Sequence, residues 1–122
     1  LTVEERAQQY IRLLEKPVIS YLKNGLTKGE SLNTTKALVE LEKCVNDIYP
    51  EFKHKLISIC GVNITEYNVS LLLKSGFSPS EISKLLSKSN ETISSIRRRL
   101  MKKVFNQKNA SPKLWDEFIS SL

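Results

Sequence analysis

The sequence predicts an all-α fold, and three observations support that prediction. Apolar residues recur three or four positions apart through most of the chain, which is the spacing of one helix face. Two Ser-Pro pairs, Ser78-Pro79 and Ser111-Pro112, have the form of helix starts, with a serine cap and proline in the first turn. No segment alternates apolar and polar residues as a half-buried strand does. The chain has 122 residues, 40% of them hydrophobic, which is enough for a compact helical domain.

The first predicted helix spans residues 1–16. Val3, Ala7, Tyr10 and Leu14 follow a heptad-like spacing, while charged and amide side chains fill the other faces. Two heptads are too few to establish a coiled coil. Two interpretations stay open: the end of a dimerising coiled coil, or an amphipathic helix packed on its own domain.

Helices are also predicted between residues 17 and 60. Pro17 interrupts or restarts the first helix because it lacks the N–H that an interior turn needs. Asn24-Gly25 predicts a helix end, and residues 26–32 a loop. A cap at residue 33 or 34 begins the next helix, which Pro50 ends. The expected inner face of the helix after it is formed by Phe52, Leu56 and Ile59.

Residues 61–75 predict a scaffold helix. Gly61–Asn63 has turn composition, and Thr65 is placed to cap a helix over residues 66–75. Gly76 suits the left-handed position that follows a helix.

Residues 76–104 predict two helices joined by a short turn. Ser78 and Glu81 have capping-box spacing, and Ser89 can cap the second helix. This second helix is long and basic, and its predicted apolar stripe is Ile93, Ile96, Leu100 and Val104. A short helix, a turn and a basic second helix have the order of a helix-turn-helix, whose second helix can enter a DNA major groove. The same residues also fit an ordinary helical hairpin with a solvated basic face.

The order of residues 76–104, GFSPSEISKLLSKSNETISSIRRRLMKKV, resembles the LuxR/NarL-type DNA-binding domain of bacterial transcription regulators. Members typically carry G-[LF]-S-x-x-E-I-A-x-x-L, then S-x-x-T-V and a basic run, at the spacing found here without gaps. The resemblance covers about a quarter of the chain. It departs at Ser83, where alanine is usual, at Ile96, where histidine is usual, and at Phe105, where glycine often ends the long helix. Region 4 of sigma factors has a closely related pattern and stays an alternative.

The resemblance implies a four-helix DNA-binding domain over residues 61–122, preceded by an N-terminal helical region over residues 1–60. Ser111-Pro112 starts the predicted last helix, in which Trp115 is expected to fill the core. The recognition helix would span roughly residues 90–105. Periodicity places Glu91, Ser94, Ser95 and Arg98 on the side opposite the apolar stripe, and these four are the candidates for base contacts. The resemblance implies the same face, because the family's base-contacting positions map onto Ser94, Ser95 and Arg98. The candidates for phosphate contacts are Lys84, Lys88, Thr92, Arg97, Arg99, Lys102 and Lys103.

Charge is distributed unevenly along the chain. The net charge is +6, yet residues 1–66 carry nine Lys/Arg and nine Asp/Glu, whereas residues 74–113 carry ten Lys/Arg and two Glu. A basic half beside a neutral half indicates a polyanionic partner. The alternative of another class is a helical adaptor or assembly domain whose basic face binds an acidic protein.

The sequence contains no recognisable catalytic or metal-binding constellation. It has one histidine, His54, and two cysteines without CxxC spacing, Cys44 and Cys60, which are expected to be buried thiols in a reducing cytoplasm. We therefore predict a non-enzymatic chain without cofactor or metal. No apolar run reaches the roughly 20 residues that span a bilayer. The chain begins at Leu1 and its one methionine is Met101, so we expect a piece of a longer regulator, with membrane anchoring upstream left open. The expected partners are double-stranded DNA, a second copy of the chain and RNA polymerase.

Overall fold

A computed structural model describes residues 1–29 and 31–122. All regular structure in these residues is helical, which confirms the predicted all-α class. None of the described helices combines the length and the apolar character needed to cross a bilayer. The helices are α1 (Val3–Leu14), α2 (Pro17–Lys28), α3 (Thr34–Ile48), α4 (Phe52–His54) with its π-helical continuation (Lys55–Ile59), α5 (Ile64–Lys74), α6 (Pro79–Leu85), α7 (Asn90–Phe105) and α8 (Lys113–Ser121).

The starts of α5, α6 and α7 follow local capping signals. Ser78 and Ser89 accept backbone hydrogen bonds at the starts of α6 and α7, as predicted. The predicted cap at Thr65 is wrong. Asn63, two residues earlier, accepts a hydrogen bond from the Glu66 N–H at 2.9 Å, and the Glu66 side chain accepts one from the Asn63 N–H at 2.8 Å. This capping box lets α5 begin at Ile64.

Helix α2 continues past its predicted end. Gly25 lies inside α2 and is buried, and the helix ends at Lys28 with Gly29 in the left-handed conformation (φ 67°). A Cβ atom at position 25 would collide with the Leu32 side chain. Gly25 therefore permits close packing, whereas Gly29 supplies the C-terminal cap. The prediction of a helix end at Asn24-Gly25 is therefore wrong. Of the predicted loop over residues 26–32, residues 26–28 are helical, residues 29, 31 and 32 are not, and residue 30 lies outside the described residues.

The segment after Pro50 winds partly as a π-helix. Phe52 and Leu56 are buried, as predicted, but Ile59 is 68% exposed. The Cys60 N–H bonds to the Lys55 carbonyl, five residues back, at 3.0 Å. This wider turn rotates the later residues off the inner face that an α-helix would give them. The predicted burial of Ile59 is therefore wrong.

Helix α5 lies at the centre of the core. Apart from Asn68, every residue from Glu66 to Ser75 is buried, as in a helix surrounded on all sides. Trp115 of α8 is fully buried, as predicted, and its Nε1–H donates to Ser70 Oγ at 3.0 Å. The apolar core extends from Leu13 to Ile119. The regions 1–60 and 61–122 thus share one core, and their division into domains stays a prediction.

The predicted heptad seam of α1 is largely exposed. The buried residue of α1 is Leu13, which lies outside the seam. Of the seam residues, Val3 is 87% exposed, Tyr10 40% and Leu14 38%. Helix α1 therefore buries one side chain fully in the core and leaves most of its apolar seam at the surface. A dimer contact through this seam stays a prediction.

Candidate nucleic-acid interface

Helices α6 and α7 are joined by a tight turn over residues 86–89. Ser87 adopts the left-handed conformation with φ 54°. The Lys88 N–H donates to the Ser83 carbonyl at 3.0 Å, and the Ser83 hydroxyl donates to the Lys88 carbonyl at 2.5 Å. Ser83, where the resembled family usually has alanine, thus holds the turn closed. The short helix, turn and long helix follow in the predicted order.

The start of α6 is anchored by α2. Lys23 Nζ lies 3.1 and 3.2 Å from the two Glu81 carboxylate oxygens and 4.5 Å from the centre of the Phe77 ring. Burial tends to raise the pKa of Glu81, but hydrogen bonds from Ser78 and Lys23 outweigh it and lower that pKa. Sequence reasoning missed Lys23, because its partner lies 58 positions away along the chain.

One side of α7 is buried against the rest of the domain. Ile93, Ile96 and Leu100 are buried, and Val104 is half-buried, so the predicted stripe faces the core. Met101 is buried beside them. The opposite side of α7 is therefore the side available to a partner.

That available side carries the predicted base-contacting residues. We define the outward face of α7 as Glu91, Ser94, Ser95, Arg98 and Lys102. Glu91, Arg98 and Lys102 are exposed, and the two serines are half-buried. Arg98 Nη2 donates to Ser95 Oγ at 3.3 Å, so these two side chains lie together.

Four of the predicted phosphate-contacting residues are exposed cations on or beside this face. Lys84 lies on α6, Lys88 in the turn, and Arg99 and Lys102 on α7. None of the four forms an ion pair with another described residue. Their charges are therefore available to a polyanion.

Arg97 does not belong to this set. It is only 6% exposed, and its guanidinium makes two hydrogen bonds to the Asp116 carboxylate of α8, one of them from Nε at 2.8 Å. The prediction that Arg97 contacts phosphate is wrong, because the side chain lies in the α7–α8 packing and is already paired. A side chain beside the apolar stripe of α7 can face either the solvent or a neighbouring helix. The sequence alone therefore could not predict that Arg97 packs against α8.

Thr92 and Lys103 also make contacts within the protein. The Thr92 Oγ1 lies 2.8 Å from Ser89 Oγ at the start of α7. Lys103 Nζ lies 3.0 Å from Oε1 of Glu66, whose side chain is 2% exposed, while the Lys103 side chain is 40% exposed. Both residues thus have partners within the domain, and their phosphate contacts stay predictions.

A groove beside α7 brings in residues that sequence reasoning missed. Asn63 and Thr65, at the start of α5, line an open cleft of about 490 Å³ together with Lys88, Ser95 and Arg99. The spacing of residues along α7 could not indicate them, because they belong to an earlier helix. They place additional hydrogen-bonding groups next to the outward face.

The chemistry available at this face is charge and hydrogen bonding. Within residues 1–29 and 31–122, no three His, Cys, Asp or Glu side chains are arranged as a metal-binding group. Cys44 and Cys60 are free and half-buried, and burial raises the pKa of both thiols.

Comparison with protein-family models, with curated proteins and with solved structures finds no match to this chain.

Proposed function

We propose that this chain binds double-stranded DNA as part of a bacterial transcription regulator with a LuxR-like helix-turn-helix. One observation carries the proposal: α7 buries its apolar side and presents Ser94, Ser95 and Arg98 outward, between exposed cations without ion-pair partners in the described part of the chain. A helix of this kind fits the major groove, which is about 12 Å wide.

The outward face supplies groups that can discriminate base pairs. The planar fork of Arg98 can donate to O6 and N7 of guanine, and a good contact of this kind contributes about 1–3 kcal/mol of discrimination. Ser95, hydrogen-bonded to Arg98, favours one orientation of that fork. Ser94 and Glu91 are short enough to reach base edges while the helix lies deep in the groove.

The surrounding cations supply affinity rather than sequence recognition. Lys84, Lys88, Arg99 and Lys102 can each neutralise a phosphate and release a bound counterion. Their position on two helices and the turn between them suits a backbone that passes on either side of a groove. The predicted consequence is affinity that depends strongly on salt.

A single helix-turn-helix usually gains specificity by dimerising. Two helices are candidates for the dimer contact: α1, through its exposed seam, and α8, the helix that serves this role in some LuxR-like proteins. Half-sites would lie about 34–36 Å apart or at a multiple of that distance. RNA polymerase is a further partner that follows from the proposed role, which also implies action in the cytoplasm.

The proposal is tested by titrating salt against binding to random-sequence duplex DNA. The variant is Arg98→Ala with Arg99→Ala, and the control is Lys36→Ala with Lys43→Ala, which removes two exposed charges from α3. We expect wild-type affinity to fall steeply with salt. In the α7 variant the slope of log K against log salt should become shallower by about one, because Arg99 is the phosphate-contacting residue of the two, and the α3 control should match wild type.

The opposite outcomes distinguish the alternatives. If the folded wild type does not bind DNA at low salt, the DNA proposal fails. Binding that appears only with core RNA polymerase would instead support the sigma-like alternative. Equal losses in the α7 and α3 variants would show that net charge, rather than α7, determines binding.

A further inference from the structure

A cavity of about 420 Å³ lies between α1, the end of α3, α5 and α8. Arg6, Gln9 and Tyr10 of α1 form one wall, Tyr49 forms another, and the backbone around Ser120 closes the far side. This volume is within the range of about 300–1,000 Å³ that small-molecule sites occupy. The cavity is separate from the outward face of α7, since none of its lining residues belongs to α6 or α7.

Lys74 places a buried positive charge in this cavity. The residue is 7% exposed, and its Nζ lies 4.2 Å from the centre of the Tyr49 ring and 3.4 Å from the Ser120 carbonyl oxygen. It forms no ion pair with any described carboxylate. Burial, and then the charges of Arg6 and Lys55, lower the pKa of Lys74 to about 8. Burying an ammonium without a counterion raises the free energy of the folded state, so binding of an anion next to Lys74 is favoured.

The hydrogen bonding of Lys74 leaves room for such an anion. An ammonium has three N–H donors. One of them is directed to the Ser120 carbonyl. The ammonium also lies over the Tyr49 ring, and this cation–π contact stabilises the charge without using a hydrogen-bond acceptor. At least one donor therefore remains for a ligand. Arg6 lines the same cavity with an exposed guanidinium, and no Asp or Glu is among the lining residues.

We propose that this cavity binds a small organic monocarboxylate with an apolar body. The carboxylate would pair with Lys74 and Arg6, and the apolar body would lie against Tyr10, Tyr49 and Leu73. A carboxylate with an apolar body fits better than inorganic phosphate, because Tyr10, Tyr49 and Leu73 offer that body a surface which inorganic phosphate would leave uncovered. The proposal is independent of DNA binding, since it concerns a different surface.

Titration of the ¹⁵N-labelled chain with phenylacetate, followed by amide chemical shifts, tests the proposal. Phenylacetamide, its neutral analogue, and inorganic phosphate are titrated in parallel. We expect saturable shifts at Tyr10, Tyr49, Ser120 and Ser121 with a Kd of about 1 mM or tighter. Phenylacetamide should bind at least about tenfold more weakly because it cannot pair with the ammonium.

Variants assign the binding to the two cations. Lys74→Met should abolish the shifts, and Arg6→Gln should weaken binding several-fold. Arg12→Gln is the control, because it removes the same charge from an exposed position of α1 outside the cavity. If Lys74→Met does not fold, the comparison of Arg6→Gln with Arg12→Gln shows whether phenylacetate binds in the cavity: equal affinities of the two variants would overturn the proposal.

Several results would overturn the proposal. These are no saturation with phenylacetate up to about 20 mM, equal binding of phenylacetamide, or unchanged binding by folded Lys74→Met. Phosphate binding as tightly as phenylacetate would also overturn the assignment to a monocarboxylate. Each of these results is obtained without DNA and leaves the proposed DNA-binding role to its own test.

Discussion

Arg97 of α7 and Asp116 of α8 form a two-bonded ion pair that ties the candidate recognition helix to the last helix. The Arg97 Nε donates to Asp116 Oδ1 at 2.8 Å, and Nη2 donates to Oδ2. The Arg97 side chain is 7% exposed and that of Asp116 is 24% exposed. Two parallel hydrogen bonds fix the orientation of the partners as well as their distance. The pair therefore positions α7 without reaching a partner molecule.

The first prediction concerns this pair. Asp116→Ala leaves the buried guanidinium without its counterion, so we expect the free energy of unfolding to fall by about 3 kcal/mol. Arg97→Met with Asp116→Ala removes both charges and should recover part of that loss. Arg99→Met, an exposed neighbour, should change stability by less than about 0.5 kcal/mol. Urea unfolding measures all three, and equal effects of Asp116→Ala and Arg99→Met would contradict a structural role for the pair.

The second prediction concerns the turn before α6. Gly76 has φ 87°, and a Cβ atom there would meet the Tyr10 hydroxyl, whereas Gly61 has φ 68° and open space around it. Gly61→Ala should therefore lower the free energy of unfolding by about 1 kcal/mol, because the only strain is that of an alanine in the left-handed conformation. Gly76→Ala should cost roughly 1 kcal/mol more, because Tyr10 must also move.

Tyr10→Phe provides the matching test, since it removes the hydroxyl that the new methyl group would meet. It should recover part of the loss in the Gly76→Ala background and none in the Gly61→Ala background. Thermal unfolding of the four variants measures this difference. The same recovery in both backgrounds would show that the strain does not arise from Tyr10.

Local signals in the sequence were sufficient to predict α6, α7 and the turn between them. The capping box at Ser78, the cap at Ser89 and the left-handed conformation of Gly76 depend on residues close in sequence, and the structure confirms all three. The apolar stripe of α7 was predictable for the same reason, because helical periodicity alone defines it.

The errors arose where a distant partner decided the outcome. Gly25 has the composition of a helix end, but its role is to leave room for the Leu32 side chain, which a Cβ atom at position 25 would meet. The sequence around Arg97 is that of a solvent-facing cation, and its pairing with Asp116 of α8 depends on how the two helices pack. The π-helical winding before Cys60 has no sequence signal of comparable strength, so the exposure of Ile59 could not be predicted. Lys74 was counted only as part of the basic half, because its burial depends on the packing around α5.

The third prediction concerns pH. Folding lowers the pKa of Lys74 from its ordinary 10.5 to about 8, through burial and then the charges of Arg6 and Lys55. Between these two values the unfolded chain binds more protons at this residue than the folded chain, so its contribution to stability rises with pH. Tyr49 is the titratable side chain directly under the ammonium.

The comparison with Lys74→Met isolates this contribution, because other titrating groups are common to both proteins. Below pH 8 we expect Lys74→Met to be more stable than wild type by about 1–3 kcal/mol. The difference should shrink as pH rises from about 8 to about 10.5. Urea unfolding at several pH values measures it, and Lys102→Met serves as the control that removes an exposed charge. A difference independent of pH would contradict the effect of burial on Lys74.

The last prediction rests on the proposed function and separates recognition of bases from attraction of phosphates. Once selection from random DNA has given a target site, Arg98→Ala should weaken binding to that site by about 1–3 kcal/mol more than binding to random DNA. Lys102→Ala should weaken both equally and reduce the salt slope by about one, because a phosphate contact carries no sequence information. Competition binding at fixed salt measures both ratios, with Lys43→Ala of α3 as the control. If Arg98→Ala and Lys102→Ala have the same effect on the two DNAs, Arg98 contacts the backbone and base recognition must come from Ser94, Ser95 or the groove at Asn63.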